Sequence, residues 1–294
     1  MITVFGATGH TGGAAAAHLL KAGKKVRVVA RHAEKLAGLK KSGAEVRVGD
    51  IAEAQLARDA LVGSEAAYLL IPPNMTTNDM PAYQSRIVDN LSSAIEAAGV
   101  RYVVLLSSIG AHHKEGTGPI VAVHHFEERL RKIKGLNSLF LRAGYFMENT
   151  FMGMGSIKAQ GVYAQPMPAD AAIAMIASSD IGAYAGRRLE RLDFSPNTVI
   201  HLLGPKPVSQ NEVVATIGKA IGKPIRYVQS SFEDMEKGML QAGLSRSVVD
   251  VFMEMARASA KGLVAPEEGG PIEHGPTTFE TFAKEVFAPA YRAS

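Results

Sequence analysis

The chain of 294 residues contains no cysteine. That absence excludes disulfide bonds, thiolate nucleophiles and cysteine-based zinc sites, and it agrees with a reducing compartment without requiring one. Long apolar runs are also missing. The longest, Ala14 to Ala17 and Ala171 to Ala177, fall far short of a membrane span. No block of like charge occurs, and the net charge is only +4. The basic groups Lys21-Lys24-Lys25 and Arg129-Arg131-Lys132-Lys134 read as solvated helix faces, so neither nucleic acid nor membrane is an expected partner. Internal repeats and low-complexity tracts are absent. With 47% hydrophobic and 20% charged residues, the composition is that of a soluble globular protein. The first residues already read as strand and glycine turn, which leaves nothing for a signal peptide and makes a cytoplasmic location the expectation.

What is present starts at the N-terminus. A short apolar run, Ile2 to Phe5, is followed by Gly6-Ala-Thr8-Gly9-His10-Thr11-Gly12 and then by a helical stretch, Gly13 to Lys21. Strand, glycine turn and helix in that order form the context of a dinucleotide-binding site. Gly6 permits a sharp turn, Gly9 lets the backbone approach a pyrophosphate, and Gly12 lets the helix pack close to the sheet. Free N–H groups at the helix start then face phosphate with a favourable dipole.

Apolar runs recur at 26–30, 44–48, 66–71, 102–106 and 138–141, with helical patterns at 53–62, 79–98 and 120–133 between them. This alternation predicts an α/β fold, a Rossmann-like doubly wound parallel sheet covered on both faces. Ala33 to Leu39 is a further helix, interrupted by Gly38. The regularity ends after Leu141. Residues 145–175 are rich in Met, Gly, Ala and Pro. Beyond them the pattern predicts a helix capped by Ser179-Asp180 and running to about Arg191. A strand Thr198 to Leu203, a helix Gln210 to Ile221 and a strand Ile225 to Val228 come next. Helix over 232–262, with breaks near Gly238 and Gly243, precedes a loop over 265–276 and a last helix from Thr278 to Val286. The expected division is a dinucleotide-binding domain, 1–150, and a smaller substrate lobe, 151–294, woven partly into the first.

In such a fold the end of the second strand discriminates between cofactors. Arg31 stands there, with Lys35 one turn on and no carboxylate in its place. A guanidinium pairs with a 2′-phosphate, so NADP(H) is the expected cofactor. Asp50-Ile51 follows the third strand, beside the adenine or as a helix cap before Glu53; both can hold.

Further segments carry a resemblance. Gly43 to Asp50, Ile71-Pro-Pro73, Leu106-Ser-Ser108, His124 to Glu128, Leu141-Arg-Ala-Gly-Tyr-Phe-Met-Glu-Asn149 and Ser179 to Gly182 stand in family order. With the glycine turn and Arg31, they make the chain resemble the NmrA-like family of atypical short-chain dehydrogenases/reductases, near its NADPH-dependent quinone oxidoreductases. The resemblance implies that Thr8, His10 and Thr11 lie along the pyrophosphate and that Ile71 and Pro72 border the adenosine. It implies further that Ser107 sits near the nicotinamide ribose, and that Tyr145, Phe146 and Asn149 line the nicotinamide end. Typical members of the wider superfamily carry a Tyr-x-x-x-Lys pair on the helix after the fifth strand. Here Ile120 and His124 stand in those places.

Without that pair, an activated phenol is not available to protonate an alkoxide. A quinone needs none, because its reduced anion is a delocalised phenolate with a pKa near 10, by analogy with tyrosine. The expected substrate is thus a small apolar, quinone-like acceptor. His124 and Tyr145 are the candidate catalytic residues; contact with the ribose or a purely structural role is open to His124. The neighbouring pairs His112-His113 and His124-His125 do not suggest a metal site, since successive helix positions diverge by about 100°. Met147, Met152, Met154, Met167 and Met175 suit an adaptable apolar pocket or plain core filling. A second functional class stays open: a non-catalytic NADP(H) sensor acting through a regulatory protein partner. Relatives that reduce plant-type phenolics usually keep a Lys at the His124 position, which sets that class lower. Helices 79–98 and 120–133 are candidate faces for a homodimer.

Overall fold

Strands rich in Val, Ile and Leu form because β-branched side chains pack well on a pleated surface, and strands covered on both faces need no polar alternation. The computed structural model describes residues 1–294. In chain order, β1 (Ile2–Phe5) leads to α1 (His10–Lys21), and β2 (Val26–Ala30) to a 3₁₀ turn (Glu34–Leu36) and α2 (Ala37–Lys41). Next come β3 (Glu45–Val48), α3 (Ala54–Leu61), β4 (Ala66–Leu69), α4 (Met80–Ala98), β5 (Tyr102–Ser108), α5 (Ile120–Arg131) and β6 (Asn137–Ala143). The chain continues through β7 (Tyr145–Phe146), a 3₁₀ segment (Met147–Gly153), α6 (Met154–Gln160), β8 (Val162–Gln165), β9 (Ala172–Ile173), β10 (Met175–Ile176), α7 (Ser178–Arg191) and β11 (Thr198–Leu203). It ends with β12 (Val208–Ser209), α8 (Gln210–Ile221), β13 (Arg226–Gln229), α9 (Phe232–Gln241), α10 (Arg246–Ala260), β14 (Ile272–His274), α11 (Phe279–Phe282), a π-turn (Ala283–Phe287) and α12 (Ala288–Ala293). None of these helices is long and apolar enough to cross a membrane.

Eight strands form one parallel sheet in the order 3-2-1-4-5-6-11-14. The winding direction reverses between β1 and β4, and the crevice outside their carboxyl ends is where an open α/β sheet binds ligands. One face of the sheet is covered by α1 and α7, whose Ala15, Ala16, Leu19, Ile181, Ala185 and Leu189 join Val4, Val28 and Val104 in one core. The other face packs α3, α4 and α5 onto Phe5, Val29, Leu69 and Leu105. A third core lies apart from both. It gathers Met147, Tyr163, Met175, Val213, Ile217, Phe279, Phe282 and Phe287. Residues beyond 150 thus serve two regions: α7, β11 and β14 complete the sheet layer, while α6, α8 and α11 build the separate core.

Four expectations need correction. Gly38 does not interrupt a helix; the 3₁₀ turn precedes it and α2 runs through it. Gly238 likewise sits inside α9, and the chain turns only at Gly243, whose φ is +84°. The loop over 265–276 contains β14, which is exposed along its length and so has no apolar pattern; backbone pairing to β11 alone makes it a strand. The last helical stretch continues to Ala293. Pro289 supplies no N–H, and the helix accommodates it just after the π-turn rather than ending.

Candidate functional site

The turn after β1 is built as its glycines require. Gly6 has a φ of +65°, a left-handed conformation that costs glycine nothing. A β-carbon on Gly12 would lie 2.5 Å from the Gly6 carbonyl oxygen, so α1 is seated against the turn more closely than any side chain allows. No side chain caps α1 and its first turn carries no acid. The helix N-terminus is therefore an uncompensated positive pole, and Thr8, Gly9 and His10 beside it are exposed, while Thr11 is buried.

The other expected residues follow from the parallel sheet. Arg31 comes directly after β2, Asp50 and Ile51 just after β3, Ile71 and Pro72 just after β4, Ser107 near the end of β5, and Tyr145 two residues past β6. All stand at the carboxyl edge. Arg31 and Lys35 are exposed, and neither makes an ion pair. Asp50 accepts the Ala52 N–H through Oδ1 at 2.9 Å, and its carbonyl accepts from Glu53. It makes the turn before α3, whose N-cap is Glu53.

At the opposite end Ser107 is not free. Its hydroxyl donates to Glu127 Oε1 at 2.6 Å. Arg142 donates to the same carboxylate through Nε at 3.1 Å and Nη2 at 2.8 Å, and to Glu267 through Nη1 at 2.6 Å. The Arg142 and Glu127 side chains are 5% and 2% exposed. Burial alone would lower the Arg142 pKa; the hydrogen bonds and charge of Glu127, then of Glu267, outweigh it and raise it. His201 pairs in register with Arg142 and is fully buried, with neither ring nitrogen bonded. Burial first, and the Arg142 charge second, hold its pKa below the usual histidine value. His112, with Nδ1 unbonded, is shifted the same way by burial and by His113.

His124 Nδ1 lies 2.9 Å from the Ala111 carbonyl. A carbonyl only accepts, so Nδ1 carries the proton and Nε2 of the neutral ring is left an acceptor. Ile120, one turn earlier, is buried core. Burial pushes the Tyr145 phenol up to about 12, against a smaller opposing hydrogen bond from Asn149. A phenol so raised stays protonated and is a weak acid. Phe146 and Asn149 are half-buried beside it.

Sequence reasoning missed three devices. Glu148 accepts both the backbone N–H and the hydroxyl of Ser178, so it anchors the segment after β7 to the start of α7. Asp180, expected as that helix's cap, instead accepts from Thr277 N at 2.9 Å and Thr277 Oγ1 at 2.8 Å, tying down the chain after β14. The third is the Ser107–Glu127–Arg142 lock. An arginine inside the run Leu139-Phe-Leu-Arg142 was the signal for it, because a buried charge demands a buried partner. The Gly182-x-x-x-Gly186 spacing signals something else, the close packing of α7 on α1: a β-carbon on Gly182 would strike Thr11 and Ala14.

The sequence model of the NmrA-like family matches residues 1–283. The chain belongs to the NmrA-like family. Among similar proteins of this kind, an NAD(P)H azoreductase of Xenophilus azovorans is 26% identical over 257 residues, 87% of this chain and 86% of that one. Quinone oxidoreductase 2 of Escherichia coli is 26% identical over 266 residues, 89% of each. Two solved structures share the fold. An NADPH-dependent quinone oxidoreductase of Escherichia coli, in complex with NADPH, superposes with a TM-score of 0.80 at 23% identity, covering 98% of this chain and 100% of that one. A triphenylmethane reductase of Citrobacter sp., in complex with NADP(H), does so with a TM-score of 0.80 at 21% identity, covering 97% of this chain and 100% of that one.

Proposed function

We propose that this protein is an NADPH-dependent oxidoreductase that passes hydride to a quinone or a similar small apolar, electrophilic acceptor. The observation that carries the reading is the carboxyl edge of the sheet: an uncapped α1 N-terminus against a turn with no room for a β-carbon at Gly12, and an unpaired, exposed Arg31. These fit a pyrophosphate and a 2′-phosphate respectively. The names of the relatives, a quinone reductase and an azo-dye reductase among them, support an acceptor of this class.

A bound reduced nicotinamide supplies the hydride. The chain's own task is to hold and orient. The α1 N–H groups, with Thr8, His10 and Thr11, take the phosphates, and Ile71 and Pro72 border the adenosine. Tyr145, Phe146 and Asn149, fixed through Glu148 to α7, shape the acceptor side. His124 Nε2 is an acceptor for a ribose hydroxyl. Ser107, its proton committed to Glu127, holds the end of β5 in place. No residue here is an activated acid, which suits an acceptor whose reduced anion takes its proton from solvent. Residues 1–150 serve the cofactor in this reading, and the third core beyond them flanks the acceptor.

Stopped-flow oxidation of NADPH with a panel of quinones and azo dyes tests the reading. Acceptor-dependent oxidation is expected; its absence across the panel overturns it. The missing Tyr/Lys pair also motivates a second reading, a sensor that binds NADP(H) without turnover. A protein partner whose capture changes with NADPH, together with no turnover, would favour that one.

A further inference from the structure

Tyr83 lies in the first turn of α4, 6% exposed, and its buried hydroxyl has no hydrogen-bond partner. Its ring belongs to the core that contains Phe5, Val29 and Ile51. Those residues mark the carboxyl ends of β1 and β2 and the turn after β3, and the first turn of the helix that follows β4 stands at the same edge. The charges acting on the hydroxyl agree. Burial raises the phenol's pKa, the Asp50 carboxylate adds to the rise, and the Arg31 guanidinium opposes it. Asp50 uses Oδ1 on the Ala52 N–H and leaves Oδ2 without a partner.

A free carboxylate oxygen and an unused phenol donor therefore occupy the same end of the site. An adenine presents the complementary pair on its Watson–Crick edge, an amino donor beside the N1 acceptor. A 6-oxopurine presents the reverse, a carbonyl beside an N–H. We infer that Tyr83, together with Asp50, reads the purine edge of the dinucleotide and selects adenine over hypoxanthine. The inference rests on the dinucleotide reading above. The hydroxyl is covered in this structure, so its engagement requires the groups over it to give way to the purine.

The test is equilibrium titration of the full-length protein and its Tyr83→Phe variant, with NADPH and with its hypoxanthine analogue. One neutral hydrogen bond corresponds to a loss of about three- to tenfold in the variant's affinity for NADPH. Its loss of affinity for the hypoxanthine analogue, in which O6 faces the Asp50 carboxylate and the phenol oxygen only accepts from N1–H, is expected to be smaller than its loss for NADPH. The substitution removes only an unpartnered hydroxyl, so thermal stability is expected to hold or rise. Unchanged NADPH affinity in Tyr83→Phe, or equal losses for both dinucleotides, overturns the inference and spares the cofactor assignment. Failure of the unsubstituted protein to bind NADPH overturns both.

Discussion

Where β2 and β3 end at the crevice, Arg31 and Lys35 stand exposed without an ion pair, and the nearby Tyr83 keeps an unused hydroxyl. At the other end Arg142 is buried and bonded to two carboxylates, one of which also holds Ser107. The two regions sit on one sheet edge yet use charge differently. Groups left unpaired at the surface, as Arg31 and Lys35 are, can exchange water for a ligand at little cost. Buried charges cannot wait for a ligand, because an unpaired one is worth several kcal/mol against folding. The first arrangement suits binding, as proposed above; the second ties together β5, β6 and α5.

The sharpest way to break this contrast is to remove one partner of the buried pair. Glu127→Ala is expected to cost about 3–5 kcal/mol of stability, read by urea denaturation. A double replacement, Glu127→Leu with Arg142→Met, should recover much of that, since two apolar groups leave no stranded charge. A loss under 1 kcal/mol for Glu127→Ala would mean that the lock is not structural. Removing the exposed arginine should act on binding alone. Arg31→Ala is expected to weaken NADPH about 10- to 100-fold, leave NADH unchanged and leave stability unchanged. Equal loss for both dinucleotides would discard the 2′-phosphate role.

The third effect is smaller and depends on pH. His201 has a folded pKa below its unfolded value of 6.5. Below pH 6.5 the unfolded chain takes up a proton that the folded one resists. Stability is thus full above that pH and falls as the pH drops toward the folded pKa, by at most about 1.4 kcal/mol per pH unit. His201→Leu should flatten that fall and change little at pH 8; an unaltered pH profile counts against burial as the cause. The smallest effect expected is for Tyr145→Phe, a change in kcat under about threefold. A hundredfold drop would instead make the phenol a general acid.

Much of the fold was legible in local pattern. The six strands of the first half, the glycine turn and the residues at the strand ends follow from apolar runs, breaker residues and the rule that parallel strands carry their ligands at one edge. Arg31 is informative because the side chain at the end of the second strand is where this fold distinguishes a ribose hydroxyl from a 2′-phosphate. Elements without a pattern of their own were not legible. β14 has only exposed residues, and the last helical stretch runs on from the π-turn into α12 past Pro289, because tertiary backbone pairing and packing override composition there.

Sequence alone therefore determined the order of strands and helices along the chain, the glycine turn after β1 and the missing Tyr-x-x-x-Lys pair, all of which depend on residues within a few positions of one another. Only the tertiary structure decided that Ser107 spends its hydroxyl on Glu127, that Glu267 reaches back to Arg142, that Glu148 fastens α7, and that Tyr83 has a hydroxyl to spare. Each of these joins side chains distant in sequence, or leaves one alone, and the balance of burial against hydrogen bonding that decides such matters exists only once the layers have closed.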